Sequence, residues 1–245
     1  TSVVSIGINA FNGCGKLSSV SFANKSQLNN IQELAFQDCI SLTTIHIPPL
    51  VTSIEPKVFL DCLALALVII EDGVTIIKES AFQGCESLTS INIPASVTSI
   101  GEYVFKGCQN LASVIFADNS QLIHIGSAFM DCSKMTSIDI PASVTSIGDS
   151  AFQSCTNITS INFADNSRLT SIGSAFPYCS NLSSISIPTS VTSIGANAFA
   201  YCISLQNVTL TLSTIRRLNT AVIWPDPLIP IEGGTMSRFY GSGPV

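Results

Sequence analysis

The sequence predicts a repeat solenoid of about nine turns, each of ~23 residues and each with one short parallel β-strand. Three observations predict it. Nine cysteines (Cys14, Cys39, Cys62, Cys85, Cys108, Cys132, Cys155, Cys179 and Cys202) recur at intervals of 23 to 25 residues. Each follows a phenylalanine by three positions: Phe11, Phe36, Phe59, Phe82, Phe105, Phe129, Phe152, Phe176 and Phe199. Between one cysteine and the next phenylalanine the same strand-like alternation returns every time.

The unit that starts at Cys85 shows the local logic. Leu88-x-x-Ile91-x-Ile93 alternates as a short strand, with Ile91 and Ile93 on one side. Pro94 has no N–H and stops the ladder. At Ile100-Gly101 the glycine is expected to supply a backbone angle that other residues resist. The stretch through Phe105 and Cys108 then returns the chain to the next strand. The inward slots recur as Leu17/Val20/Phe22, Leu42/Ile45/Ile47, Leu65/Val68/Ile70 and Leu111/Val114/Phe116. They continue as Met135/Ile138/Ile140, Ile158/Ile161/Phe163, Leu182/Ile185/Ile187 and Leu205/Val208/Leu210. A longer turn follows Phe22, Phe116 and Phe163, where nine residues rather than seven lead to the next inward isoleucine. The inward positions stay in phase, so these extra residues are expected to bulge outward as loops. A single unit buries too little to fold alone, so stacking on two neighbours supplies its stability. At a strand spacing of about 4.8 Å, nine rungs span roughly 40 Å.

Composition excludes several classes. The 245 residues are 46% hydrophobic and 11% charged, which no disordered chain matches. A net charge of −6 argues against a general nucleic-acid binder. The longest apolar run, Leu63 to Ile70, is far short of a membrane span of about 18 residues.

The motif L-x-x-I-x-I-P-x-S-V-T-S-I-G-x-x-A-F-x-x-C at residues 88–108, 135–155 and 182–202 resembles the leucine-rich repeats of the BspA type, also called the Treponema pallidum type. The resemblance covers about residues 1–210. It implies a leucine-rich-repeat-like right-handed coil, and family members that are often surface or secreted proteins, several of them adhesin-like. Leu65 to Gly73 departs from the pattern by replacing the usual Ser/Thr-rich strand and its proline.

Thr1 to Gly7 aligns with Ala95 to Gly101, so the chain starts inside a repeat and reads as a fragment or processed form. After Leu210 the period fails. Residues 211–245 are expected to form a C-terminal cap, with Leu212, Ile215, Leu218 and Val222 at helix-like spacing, and an extended Pro/Gly-rich tail. The lone Trp224 is a candidate anchor there.

The cysteines are too far apart in sequence for a metal motif, and parallel rungs are poor disulfide geometry. They read as a ladder of buried free thiols filling a tight interior. His46 and His124 belong to no readable catalytic set, and no nucleotide, zinc or hydrolase motif occurs. No enzyme activity, cofactor or metal is expected. Asp118-Asn119 and Asp165-Asn166 read as turn-forming pairs rather than calcium ligands. Sequons at Asn24, Asn157, Asn181 and Asn207 are what a Ser/Thr-rich chain carries by chance.

The outward strand positions carry more information. They read Ser19/Ser21, Thr44/His46, Leu67/Ile69, Ser90/Asn92, Ser113/Ile115, Ser137/Asp139, Ser160/Asn162, Ser184/Ser186 and Asn207/Thr209. Leu67, Ile69 and Ile115 are apolar where Ser or Thr is usual, with Asn92 between them and His46 adjacent. An apolar patch rimmed by polar groups marks a binding surface. Tyr178 and Tyr201, each just before its cysteine, are expected to stack on consecutive rungs. The expected function is a non-catalytic protein-binding scaffold, an adhesion or surface-recognition module. The alternative is a structural subunit or spacer held through its ends. Carbohydrate or ice binding by the Ser/Thr array ranks lower, because few rungs carry two matched hydroxyls.

Overall fold

The computed structural model describes residues 3–23 and 25–210, together with the backbone of 228–230 and 235–238. The chain coils as a parallel β-solenoid whose turns follow the cysteine period. Its strands are β1 (Ser5–Ile6), β2 (Asn30–Ile31), β3 (Thr44–Ile47), β4 (Ser53–Ile54), β5 (Leu67–Ile70), β6 (Ile76–Ile77) and β7 (Ser90–Ile93). Next come β8 (Ser99–Ile100), β9 (Ser113–Phe116), β10 (His124–Ile125), β11 (Ser137–Ile140), β12 (Ser146–Ile147) and β13 (Ser160–Phe163). The last are β14 (Ser171–Ile172), β15 (Ser184–Ser186), β16 (Ser193–Ile194), β17 (Asn207–Thr209), β18 (Leu228–Pro230) and β19 (Thr235–Arg238).

The longer strands are those the alternation predicts. They pair in parallel as β3 with β5, β7 with β9, β11 with β13 and β15 with β17. Most of their inward residues are buried, Ile91 and Ile93 each being 1% exposed, whereas Ile70, Phe116 and Phe163 at the strand ends are half-buried. The structure adds a second ladder. The Ser-Ile pairs before the glycine form a continuous seven-stranded parallel sheet in the order β16-β14-β12-β10-β8-β6-β4. Each turn from the second to the eighth therefore carries two strands, on two faces of the coil.

The glycine that follows this short strand has a different reason from the one expected. Gly101, Gly126, Gly148, Gly173 and Gly195 show no left-handed backbone. They are glycine because turns approach closely: a Cβ on Gly195 would stand 2.7 Å from the Gly173 carbonyl carbon and the Ser174 nitrogen. The left-handed residue is the one just before each cysteine, namely Gly13, Asp38, Asp61, Gly84, Gly107, Asp131, Ser154, Tyr178 and Tyr201, with φ between 56° and 73°. A second left-handed corner at Leu34, Lys57, Ser80, Tyr103, Ser150 and Asn197 precedes the phenylalanine.

The core is built from columns. The nine repeat phenylalanines stack ring on ring, with centroids 5.1 to 5.7 Å apart and near-parallel planes. That separation is offset stacking, which adds to the apolar burial. The thiols do more than fill space. The Sγ–H of Cys62 donates to the Phe36 carbonyl at 3.1 Å, and that of Cys108 to the Phe82 carbonyl at 3.2 Å. The same bond ties every cysteine from Cys39 to Cys202 to the preceding turn. Burial pushes the Cys62 and Cys155 thiols up to about 12. All nine cysteines are free; Cys14 is exposed and the other eight are buried.

At the far end, β19 runs antiparallel to β17 and β18 antiparallel to β19, extending the sheet beyond the last turn. The helix-like spacing at Leu212, Ile215, Leu218 and Val222, and Trp224, lie outside the described residues.

Candidate interaction surface

Parallel register turns each outward strand position into a column. His46 stands opposite Ile69, and Asn92 opposite Ile115. Asp139 stands opposite Asn162, whose Nδ2 donates to Asp139 Oδ1 at 2.7 Å. One column thus reads Ser21, His46, Ile69, Asn92, Ile115, Asp139, Asn162, Ser186, Thr209. Leu67, Ile69 and Ile115 are 47%, 43% and 54% exposed, so no loop among the described residues covers the patch. His46 Nε2 lies 2.6 Å from Glu71 Oε1, which places a polar pair at the edge of Ile69.

The surface around Ile115 is not flat. On one side is a depression of about 280 Å³ lined by Glu71, Asp72, Asn92 and Pro94. On the other is a groove of about 660 Å³ over the sixth turn. Ser137, Asp139 and Asn162 lie along it, with Phe116 and Asn119 at one side and Phe163 and Ala164 at the other. Ile115 borders both hollows.

Loop length explains the groove. The fifth and seventh turns carry the long loops after Phe116 and Phe163, while the sixth carries the short one after Ile140. Each long loop is closed locally: Ser120 and Ser167 accept the N–H of Leu122 and Leu169. Two raised walls therefore flank a low turn. Sequence reasoning placed Asp139 and Asn162 on the outward face but missed that loops two turns apart enclose them. The signal was present in the nine-seven-nine order of the loop lengths.

Tyr178 and Tyr201 stack as expected, with ring centroids 4.7 Å apart and planes 4° from parallel. They sit on the left-handed corner before Cys179 and Cys202, in turns remote from the Leu67/Ile69/Ile115 patch, and form no single site with it. The second histidine lies on the other sheet. His124 Nδ1 is 2.6 Å from Ser146 Oγ, and no carboxylate among the described residues bonds its other nitrogen.

These features define a stacked-repeat scaffold of the leucine-rich class. The family model for the BspA type leucine-rich repeat region matches residues 1–112 and 100–223, in six copies. The chain belongs to that family. A leucine-rich repeat protein from Bacteroides ovatus is 29% identical, over 90% of this chain and 54% of its own, with a TM-score of 0.75. This chain thus spans about half the length of that protein. The pneumococcal vaccine antigen PcpA is 20% identical over 85% of this chain and 56% of its own, with a TM-score of 0.53. The leucine-rich repeat protein of T. pallidum is 22% identical over 84% of this chain and 87% of its own, with a TM-score of 0.50. These last two are likenesses of fold. No curated protein matches the chain. Among the described residues, no helix is long and apolar enough to cross a membrane.

Proposed function

We propose that the chain is a non-catalytic protein–protein interaction scaffold, serving adhesion or recognition at a cell surface, and that its strand face around Ile115 is the contact surface. The exposure of Ile115 on a ridge between two hollows carries the reading. A rigid coil holds that side chain at fixed height, so a partner that buries it loses little conformational freedom on binding. Leu67 and Ile69 widen the apolar area, and Asn92 and His46 rim it, as at an interface with an apolar centre and polar edge. The surface setting follows what membership of this family implies.

The test uses a partner captured from the native organism by the intact gene product. Ile115→Asp or Leu67→Asp is expected to weaken that complex while circular dichroism stays unchanged. Burying an isoleucine contributes about 2 kcal/mol, so the loss is on the order of thirtyfold in Kd. Undiminished binding by both variants removes the patch.

A further inference from the structure

The groove over the sixth turn has a chemistry more specific than its shape. We infer that it takes an extended peptide segment that sets an arginine on Asp139 and an apolar side chain on Ile115. This rests on the scaffold reading above and names the partner's chemistry at that face.

Three observations carry it. First, Asp139 lies along the groove and accepts one hydrogen bond among the described residues, from the Asn162 amide to Oδ1. A carboxylate accepts about four hydrogen bonds, so most of its capacity faces the groove. Second, Asp139 has no cationic partner among the described residues. No described lysine or arginine lines the groove or the smaller hollow beside it, whereas Asp72, and Glu71 with its His46 partner, line the latter. Asp118 and Asp165, exposed on the two wall loops, have the same sign. Arg168, on the second wall's loop, turns instead toward a hollow lined by Thr98, Ile123 and Thr145. Third, the width suits a single chain. Turns five and seven are two strand spacings apart, about 10 Å centre to centre, which leaves about one strand's width between them for a single extended backbone. A neutral ligand would leave the carboxylate unpaired. A guanidinium pairs with it through a planar fork of donors and keeps its apolar faces for Phe116 and Phe163.

The test is fluorescence anisotropy with a labelled octapeptide of alternating arginine and leucine, its glutamate counterpart, and labelled maltohexaose. Wild type, Asp139→Asn, Ile115→Ser and Asp131→Asn are titrated at low and at moderate salt. Asp131 sits on the corner before Cys132, outside the groove, and serves as the control. Wild type and Asp131→Asn are expected to bind the arginine peptide alone, and added salt weakens it several-fold. Asp139→Asn weakens it roughly tenfold or more, the effect of one charged hydrogen bond. Asp139→Asn also flattens the salt dependence, whereas Ile115→Ser weakens binding and leaves the salt dependence in place. Equal binding of the glutamate peptide, an unchanged Kd for Asp139→Asn, binding of maltohexaose instead, or no binding up to about 1 mM each overturns the inference. The scaffold reading fails separately. A captured partner that survives Asp139→Asn but not Ile115→Asp keeps the surface and removes the arginine.

Discussion

The thiol ladder can be tested as a hydrogen-bond ladder at Cys108. This side chain is fully buried, and its Sγ–H donates to the Phe82 carbonyl at 3.2 Å. That oxygen also accepts the Cys85 N–H at 3.2 Å, so removing the thiol leaves no orphaned carbonyl. Cys108→Ala then loses one apolar atom of about methylene size, about 0.8 kcal/mol, and one bond of about 1 kcal/mol. The expected cost is about 2 kcal/mol. Cys108→Ser keeps a donor on a shorter arm and recovers part of the bond, so it should cost about 1 kcal/mol. If the sulfur were only filler, a buried hydroxyl without a partner would add about 1–3 kcal/mol and place Ser below Ala. Urea denaturation followed by circular dichroism gives the order, provided the slope is unchanged. A Ser variant less stable than the Ala variant refutes the donor role.

Alkaline pH should unfold the coil. Burial raises Cys39, Cys62, Cys85, Cys108, Cys132 and Cys155 above the ordinary 9.0. The folded state holds these protons more tightly than the unfolded one. Stability is therefore full below pH 9 and falls as pH rises from there toward 12, each thiol contributing up to about 1.4 kcal/mol per pH unit. Equal urea midpoints at neutral pH and near pH 10.5 would count against this. Gly195→Ala forces a Cβ to within 2.7 Å of backbone and should cost about 1–3 kcal/mol, whereas Gly7→Ala, whose nearest atom is 4.0 Å away, should be near neutral. Thermal melts of the pair separate close approach from any general effect of losing a glycine.

The columns that build the core were legible because each repeats a residue type with a strong burial preference. Phenylalanine, cysteine and the strand aliphatics recur at one angular station, and from the second turn on the structure buries the phenylalanines and cysteines there, while Phe11 and Cys14 of the first turn stay exposed. The second ladder was not legible, since a two-residue strand such as Ser99–Ile100 is too short to show a period. Its glycine misled for a physical reason. Glycine serves both positive φ and close approach, and only coordinates show that Gly101 meets the Glu79 nitrogen while Asp61 or Tyr178 takes the left-handed angle. The cysteine was legible as small and buried but not as a donor, because its acceptor belongs to the backbone one turn earlier. The exposed Leu67, Ile69 and Ile115 followed from strand alternation alone. The groove beside them did not, because it depends on loops in two different turns.

The irregular cysteine intervals carry that missing information. A plain turn takes 23 residues, and the first long loop stretches its interval to 25. The turns with the other two long loops reach only 24, because the arc before the phenylalanine is one residue shorter. In those arcs Gly126-Ser127-Ala128 and Gly173-Ser174-Ala175 lack the left-handed residue that Tyr103 and Ser150 supply elsewhere. The Ser127 hydroxyl bonds the Asp149 carbonyl at 2.7 Å and the Ser174 hydroxyl bonds the Ala196 carbonyl, tying each shortened corner to the next turn. Loop growth on one side is thus matched by contraction on the other, and the phenylalanine and thiol columns continue unbroken through both turns. Such matching is what lets a close-packed coil vary its outer surface without disturbing its interior. A sequence of intervals that runs 24, 23, 24 marks a low turn between two raised ones, and in this chain that low turn carries Asp139.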